Sequence, residues 1–381
     1  MINKIKFKNY KSFKDEQELE IKPLTVLIGK NSAGKSAITK LPSLISNALS
    51  GNFSEPLQWI NDGVELGGEF RDLIYGRTRL GKLELTMEDE NESLEVIIGS
   101  EARATDKPEI FSWTLVNKFG THHFDITNEK SFDGLRIKGG EEKFQISSLK
   151  LATDYIGPFR ALPERQYTAS SKTNINEIGI RGENAYPILI KDALTTEKKL
   201  INQINSWYIK NFDGWGLRIN EDTEPFYQLE ITRETAQINI NIRDVGQGMS
   251  QVLPIVTRAF MSNEEEKLIV VEQPELHLHP AAHGDIAEMF FNSLQNGNKK
   301  YLIETHSQNF VLRLRSLVAS KKLSPDDIAL YYVHFDSQAH CSKLKKIRID
   351  DAGNVDEWPT GIFNETLLET IAIKNAQVAS R

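Results

Sequence analysis

Residues Gly29 to Ser36 read GKNSAGKS, and no other stretch limits the fold so tightly. The stretch matches G-x-x-x-x-G-K-[ST]. It follows a short apolar run, LTVLIG from Leu24, and opens a segment of helical spacing, KSAITKLPSLISNAL, interrupted by Pro42. A strand, a glycine-bearing turn and a helix in that order make an anion cradle. Backbone N–H groups surround a phosphate, and the helix N-terminus adds partial positive charge. Gly34 lets the backbone approach the anion, Lys35 would reach the β- and γ-phosphates, and the Ser36 hydroxyl would ligate Mg²⁺. The candidate contacts to ATP are Gly29, Lys30, Asn31, Ser32, Ala33, Gly34, Lys35, Ser36 and Ala37.

The rest of the chain fits an α/β fold. INKIKFKNY alternates like a strand. From about residue 80 to about 150, KLELTME, SLEVIIGS, IFSWTLVN and EKFQISSLK alternate between turn-like clusters, which predicts an antiparallel β-rich insertion. TDYIGPF is a further short strand, residues from about 183 to 212 are helical, and FYQLEITR with AQININ makes a hairpin. SQVLPIVTRAF then opens a helix. LIVVE, PAAHGDIAEMFFNSL, KYLIET and SQNFVLRLRSLV alternate strand and helix, the pattern of a parallel sheet with crossover helices. IALYYVHF and SKLKKIRID follow as strands, DDAGNV as a turn, and a last helix starts near Asn364. The expected division is a domain over 1–320, with the β-rich insertion and a helical lobe inside it, and a small strand–turn–helix domain over 321–381.

Composition excludes several classes. The chain has 53 acidic against 46 basic residues and a net charge of −7, which argues against a uniformly basic nucleic-acid coat but leaves a local groove open. The single cysteine, Cys341, excludes an internal disulfide framework and suits a reducing compartment. No apolar run approaches the roughly 20 residues of a membrane span. MINKIKFKNYKSF has no signal-peptide apolar core. A cytoplasmic, soluble chain without a membrane partner is expected.

A second carboxylate comes from LIVVE, an apolar strand ending in Glu272, which would support Mg²⁺ opposite Ser36. PELHLHP offers His277 and His279, with His283 beyond. An H-x-H at a strand end could hold zinc, but no accompanying ligand set is evident, so these histidines are expected to line an interface or to pack. YLIETHSQNF places Thr305 and His306 at another strand end. A neutral His306 imidazole could sense the γ-phosphate, while Thr305 or Ser307 could cap the following helix.

The phosphate loop, DVGQGMSQVLPIV, VVEQPELHLHP and IETHSQNF, in this order and spacing, resemble the ABC-type ATPases of the SMC, RecF and OLD (overcoming lysogenization defect) group. GVELGGEFRDLIYG, DYIGPFRALPERQY, GIRGENAYPILI and EWPTGIFNE are similar, more narrowly, to a prokaryotic branch of AAA-type, OLD-like ATPases ending in a small domain of unknown function. The resemblance implies a P-loop NTPase of ABC type. It implies a head-to-tail homodimer or higher homo-oligomer in which Gly246, Gly248, Ser250 and Gln251 of one subunit meet the nucleotide of the other, although GQGMSQ departs from L-S-G-G-Q. It puts Glu272 in the Mg²⁺-supporting position and Gln273 where such enzymes place the water-activating glutamate. A glutamine amide orients water but takes no proton, so general-base help of about 10²–10⁴-fold would be missing. Glu275, two residues on, is the fallback base. Lys11 is a candidate for the nucleotide or a solvated basic residue, Arg160 and Arg165 for a phosphate or for ion pairs bracing a loop, and Gln58 for the glutamine that couples nucleotide to the lateral lobe.

No sustained heptads project a coiled-coil arm, and the residues after the last ATPase helix lack the acidic set of a Toprim nuclease. Three functions stay open. The first is an ATP-dependent switch or scaffold of a prokaryotic anti-phage defence system, acting on a separately encoded effector such as a nuclease. The second is a RecF-like repair ATPase that binds DNA, with RLRSLVASKK and LKKIR as phosphate contacts. The third is an assembly protein with structural, rarely hydrolysed ATP.

Overall fold

The strand leading into the glycine loop, Leu24–Ile28, is buried at every position. In the computed structural model it lies inside a six-stranded sheet ordered Thr153–Ile156, Lys267–Glu272, Lys299–Glu304, Leu24–Ile28, Ile328–Asp336, Cys341–Ile347. The first five strands run parallel and the last antiparallel. The structure describes residues 1–46, 56–100, 107–125, 151–169, 176–222, 224–295, 298–359 and 361–379. A strand covered on both faces reads as an unbroken apolar run, because alternate side chains serve two cores. Leu24, Val26 and Ile28, with Ile269, Val271 and Ile303, enter one core. Leu27, Leu268, Val270 and Leu302 enter the other.

The first core is closed by the helices Gln247–Phe260, His283–Leu294 and Gln308–Ala319. The second lies beneath the helix Lys35–Ser46 and an antiparallel sheet ordered Gln17–Glu20, Lys4–Lys8, Lys82–Glu88, Ser93–Gly99, Glu109–Asn117, Gly120–Asp125. Each fully buried aliphatic side chain here contributes roughly 1.5–3 kcal/mol against exposure. The β-rich section is therefore joined to the N-terminus: Lys4–Lys8 pairs antiparallel with Lys82–Glu88. EKFQISSLK lies outside the described residues. Pro42 stays inside the helix Lys35–Ser46 and does not end it.

The strands Ile328–Asp336 and Cys341–Ile347, which open the expected C-terminal unit, continue the phosphate-loop sheet. The cause is their burial pattern: Ile328 and Leu330 enter one core, Ala329, Tyr331 and Val333 the other. A smaller sheet built on Phe226–Arg233 pairs with Gly216–Asn220 and Ile238–Asn241, as the hairpin reading expects. The helices Ala185–Ala193 and Lys199–Asn211 pack beside it, and the Tyr208 hydroxyl donates to Met249 O at 2.6 Å. Among the described residues no helix is long and apolar enough to cross a membrane.

Candidate functional site

The carboxyl ends of the central parallel strands converge on the glycine loop, the edge at which open α/β sheets bind ligands. Gly29 has no room for a side chain, since a Cβ would sit 2.2 Å from Val333 O. Ser32 and Gly34 both take left-handed φ, 61° and 104°, curling the loop so that its N–H groups face inward. Lys35 is buried, and its Nζ donates to Gly29 O at 3.0 Å and Lys30 O at 2.9 Å. Burial lowers its pKa, and Glu304 opposes that shift. Ala33 is buried, Gly34 and Ala37 are half-buried, and Lys30, Asn31, Ser32 and Ser36 line the exposed mouth. The tail returns to this mouth: a Cβ on Gly361 would lie 3.4 Å from Lys30 Nζ.

Two glutamates face the loop, side by side. Parallel pairing sets Glu272 opposite Glu304, and Glu304 next to Leu27. Glu272 is buried, and its Oε1 accepts from the Thr39 and Tyr155 hydroxyls, each at 2.5 Å. Glu304, also buried, receives the Ser36 hydroxyl on Oε2 at 3.0 Å and faces Lys35 Nζ with Oε1 at 3.7 Å. Burial, then the Glu272 charge, push Glu304 up to about 7, against the pull of Lys35. Glu304, Thr39 and Tyr155 escaped the sequence reading. The signal for Glu304 was present: KKYLIE, like KLIVVE, is an apolar run ending in glutamate.

Gln273 sits just past the strand at φ 46°, with its N–H on Glu304 O at 2.7 Å. Among the described residues its side-chain amide makes no hydrogen bond. Arg160 grips the carbonyls of Glu272 and Gln273 through Nη2 at 2.9 and 2.7 Å, and burial lowers it to about 10. Glu275 is buried, with Oε1 accepting the His306 N–H at 2.7 Å and Oε2 without a partner; burial raises its pKa. The His306 side chain is one-third exposed, with Nε2 3.8 Å from Glu304 Oε1. Burial, then Lys35, lower it to about 4, so the imidazole is neutral at neutral pH.

The remaining candidates lie elsewhere or serve the scaffold. Gly246 caps the helix Gln247–Phe260 and is exposed; Gly248 packs so close that a Cβ would meet His277 O at 2.8 Å. Ser250 and Gln251 are buried within the chain. Arg165 forms a two-pronged pair with Asp244 at 2.9 and 2.7 Å, bracing the approach to that helix. Lys11 donates to Leu66 O at 2.6 Å, and Gln58 is half-buried. His279 accepts from Ala281 N, and His283 bonds Ser307 and Leu278. Among the described residues no group of three or more His, Cys, Asp or Glu is arranged to hold a metal ion.

The donors at the loop are hard oxygens, a hydroxyl and two carboxylates, which suit Mg²⁺ shared with phosphates better than a softer ion. When bound, the metal neutralises phosphate charge; Ser36 and Glu272 would hold it, and Lys35 would hold the phosphates. A phosphate loop facing strand-end carboxylates, in a mixed sheet backed by crossover helices and an antiparallel sheet, is the α/β fold of an ABC-type P-loop ATPase.

Residues 24–313 match the family described as "AAA domain, putative AbiEii toxin, Type IV TA system", and the chain belongs to that family. Residues 323–371 match a second family, described as a protein of unknown function. A Helicobacter pylori protein named "ATP/GTP phosphatase" is 21% identical over 348 residues, spanning 84% of this chain and 89% of the relative. Solved structures to which the chain is similar include the SMC head domain from Thermotoga maritima, at 12% identity and TM-score 0.45, covering 91% of this chain and 99% of that one. Another is the SmcHead bound to the C-winged helix domain of ScpA, at 13% identity and TM-score 0.48, covering 92% of this chain and 98% of that one.

Proposed function

We propose that the chain is an ATP–Mg²⁺-binding switch or scaffold with slow hydrolysis, dimerising head-to-tail and controlling a separately encoded effector, such as a nuclease, in a prokaryotic anti-phage defence system. The observation that carries the slow-hydrolysis reading is Gln273 at the end of the Glu272 strand, beside a complete phosphate loop. Its amide takes no proton. The fallback base, Glu275, has one oxygen committed to the His306 N–H and the other buried. The family description and the relative's name support nucleotide hydrolysis and defence as the setting. Membership in a homodimer rests on the exposed Gly246–Gln247 helix start, which a second subunit's nucleotide would meet.

DNA binding gains no support from the basic runs. Within them Arg313, Lys321, Lys345 and Lys346 each have a carboxylate partner, and Arg315 Nε donates to Gly353 O. The structural-ATP reading shares its main support, Gln273, with the preferred one. Steady-state ATP turnover by the purified chain with Mg²⁺, beside Glu275→Gln, separates the possibilities. Slow turnover that survives Glu275→Gln supports the switch. Turnover lost in the variant makes Glu275 the base. No turnover in either, with ATP still bound, makes the protein a clamp whose nucleotide is structural.

A further inference from the structure

We propose that Glu304 is a second metal-directed carboxylate of this site, sharing the nucleotide's divalent cation with Ser36. The inference rests on the nucleotide reading above and goes beyond it, because that reading assigns the carboxylate role to Glu272 alone. Three features of geometry carry it. The Ser36 hydroxyl, the loop's metal-directed group, touches Glu304 Oε2 at 3.0 Å, whereas no contact joins it to Glu272 among the described residues. Glu272 Oε1 already accepts two hydroxyls, from Thr39 and Tyr155, so half of that carboxylate is committed to the protein. Both Glu304 oxygens instead face groups that handle phosphate and metal: Ser36 on one side, Lys35 and the neutral His306 on the other.

Charge balance points the same way. Among the described residues Lys35 is the one Lys or Arg within ion-pair distance of these two carboxylates, which strand register holds side by side and buried. A polyphosphate entering this cluster meets repulsion that one ammonium cannot offset in a poorly solvated site. A divalent cation bound by one or two carboxylates and the phosphates removes it. Nucleotide affinity in this chain is therefore strongly tied to the metal, and Glu304 is what ties it.

The test measures binding, not turnover. A non-hydrolysable ATP analogue is titrated calorimetrically into the full chain with Mg²⁺ and with EDTA. Mn²⁺ affinity at saturating analogue is read by electron paramagnetic resonance. Glu304→Gln is expected to lower Mn²⁺ affinity by about 10–100-fold, the usual cost of losing a carboxylate near a metal, while metal-free analogue binds more tightly than to wild type. Unchanged Mn²⁺ affinity and an unchanged Mg²⁺-to-EDTA ratio would overturn the proposal while leaving the nucleotide reading intact. A wild-type chain that binds no analogue under either condition overturns both. Thermal melts check folding. Should Glu304→Gln fail to fold, Glu304→Asp, which keeps the charge but draws it back from Ser36, decides: reduced Mn²⁺ affinity supports the assignment and wild-type affinity sinks it.

Discussion

Gln273 holds a left-handed backbone, its N–H bonded to Glu304 O and its carbonyl gripped by Arg160. The position is thus fixed by main-chain contacts that a glutamate would keep, and only the side-chain chemistry would change. Gln273→Glu is expected to raise ATP turnover by roughly 10²-fold, the low end of what a general base supplies. An unchanged rate in a coupled-enzyme assay would mean that the water is activated elsewhere. Tyr155 poses a separable question, because its hydroxyl is one of two donors on Glu272 Oε1. Tyr155→Phe should cost about 1–2 kcal/mol in denaturant unfolding, the loss of one buried hydrogen bond to a charged acceptor with Thr39 still in place. At this scale the phosphate-loop residues were legible, since their spacing is itself the chemistry. Tyr155 and Thr39 were not, because nothing local marks a hydroxyl that meets a carboxylate 117 or 233 residues away.

The elements that carry the site are held by local devices that the sequence does announce. Ser307 caps the helix Gln308–Ala319, accepting from Phe310 N at 3.1 Å, while Thr305 Oγ1 accepts from Ser307 N at 3.0 Å. The Ser307 hydroxyl also pairs with His283 Nδ1 at 2.8 Å, so it ties this helix start to the start of the helix His283–Leu294. Ser307→Ala is expected to cost about 1–2 kcal/mol, the upper half of the usual cap range, because two partners are lost. A shift of the chemical-denaturation midpoint at unchanged slope checks it. The alternating strands of the β-rich section were equally readable. Their place was not: the sheet is completed by Lys4–Lys8, whose pairing with Lys82–Glu88 reaches across the strand Leu24–Ile28 and the helix Lys35–Ser46, a separation that periodicity does not see.

For the whole molecule, Glu304 and His306 set opposite pH dependences. Glu304 rises from an ordinary 4.5 to about 7, so the native state holds more protons than the unfolded chain between those values and stability falls as pH rises through the window. His306 falls from 6.5 to about 4, so its contribution grows with pH over that range and offsets Glu304 below about 6.5. Lys299, lowered to about 8, acts only above that value. Between about pH 6.5 and 8 the Glu304 effect stands clear of these two. Thermal melts of the wild-type chain should therefore decline across that interval, and those of Glu304→Gln should decline less. Parallel curves would remove Glu304 as the cause.

The sequence by itself determined the phosphate loop, the order of strands and helices, and the Glu272 strand, because each is written in a run of neighbours whose spacing or polarity forces a local conformation. Only the tertiary structure decided that Glu304 stands between Ser36 and Lys35, that the C-terminal strands complete the ATPase sheet, and that the tail comes back to Lys30. The reason is register. Parallel strands separated by crossover helices meet at positions set by how two cores fill on either face, and that pairing aligns Glu272 with Glu304 although neither residue's neighbours specify it.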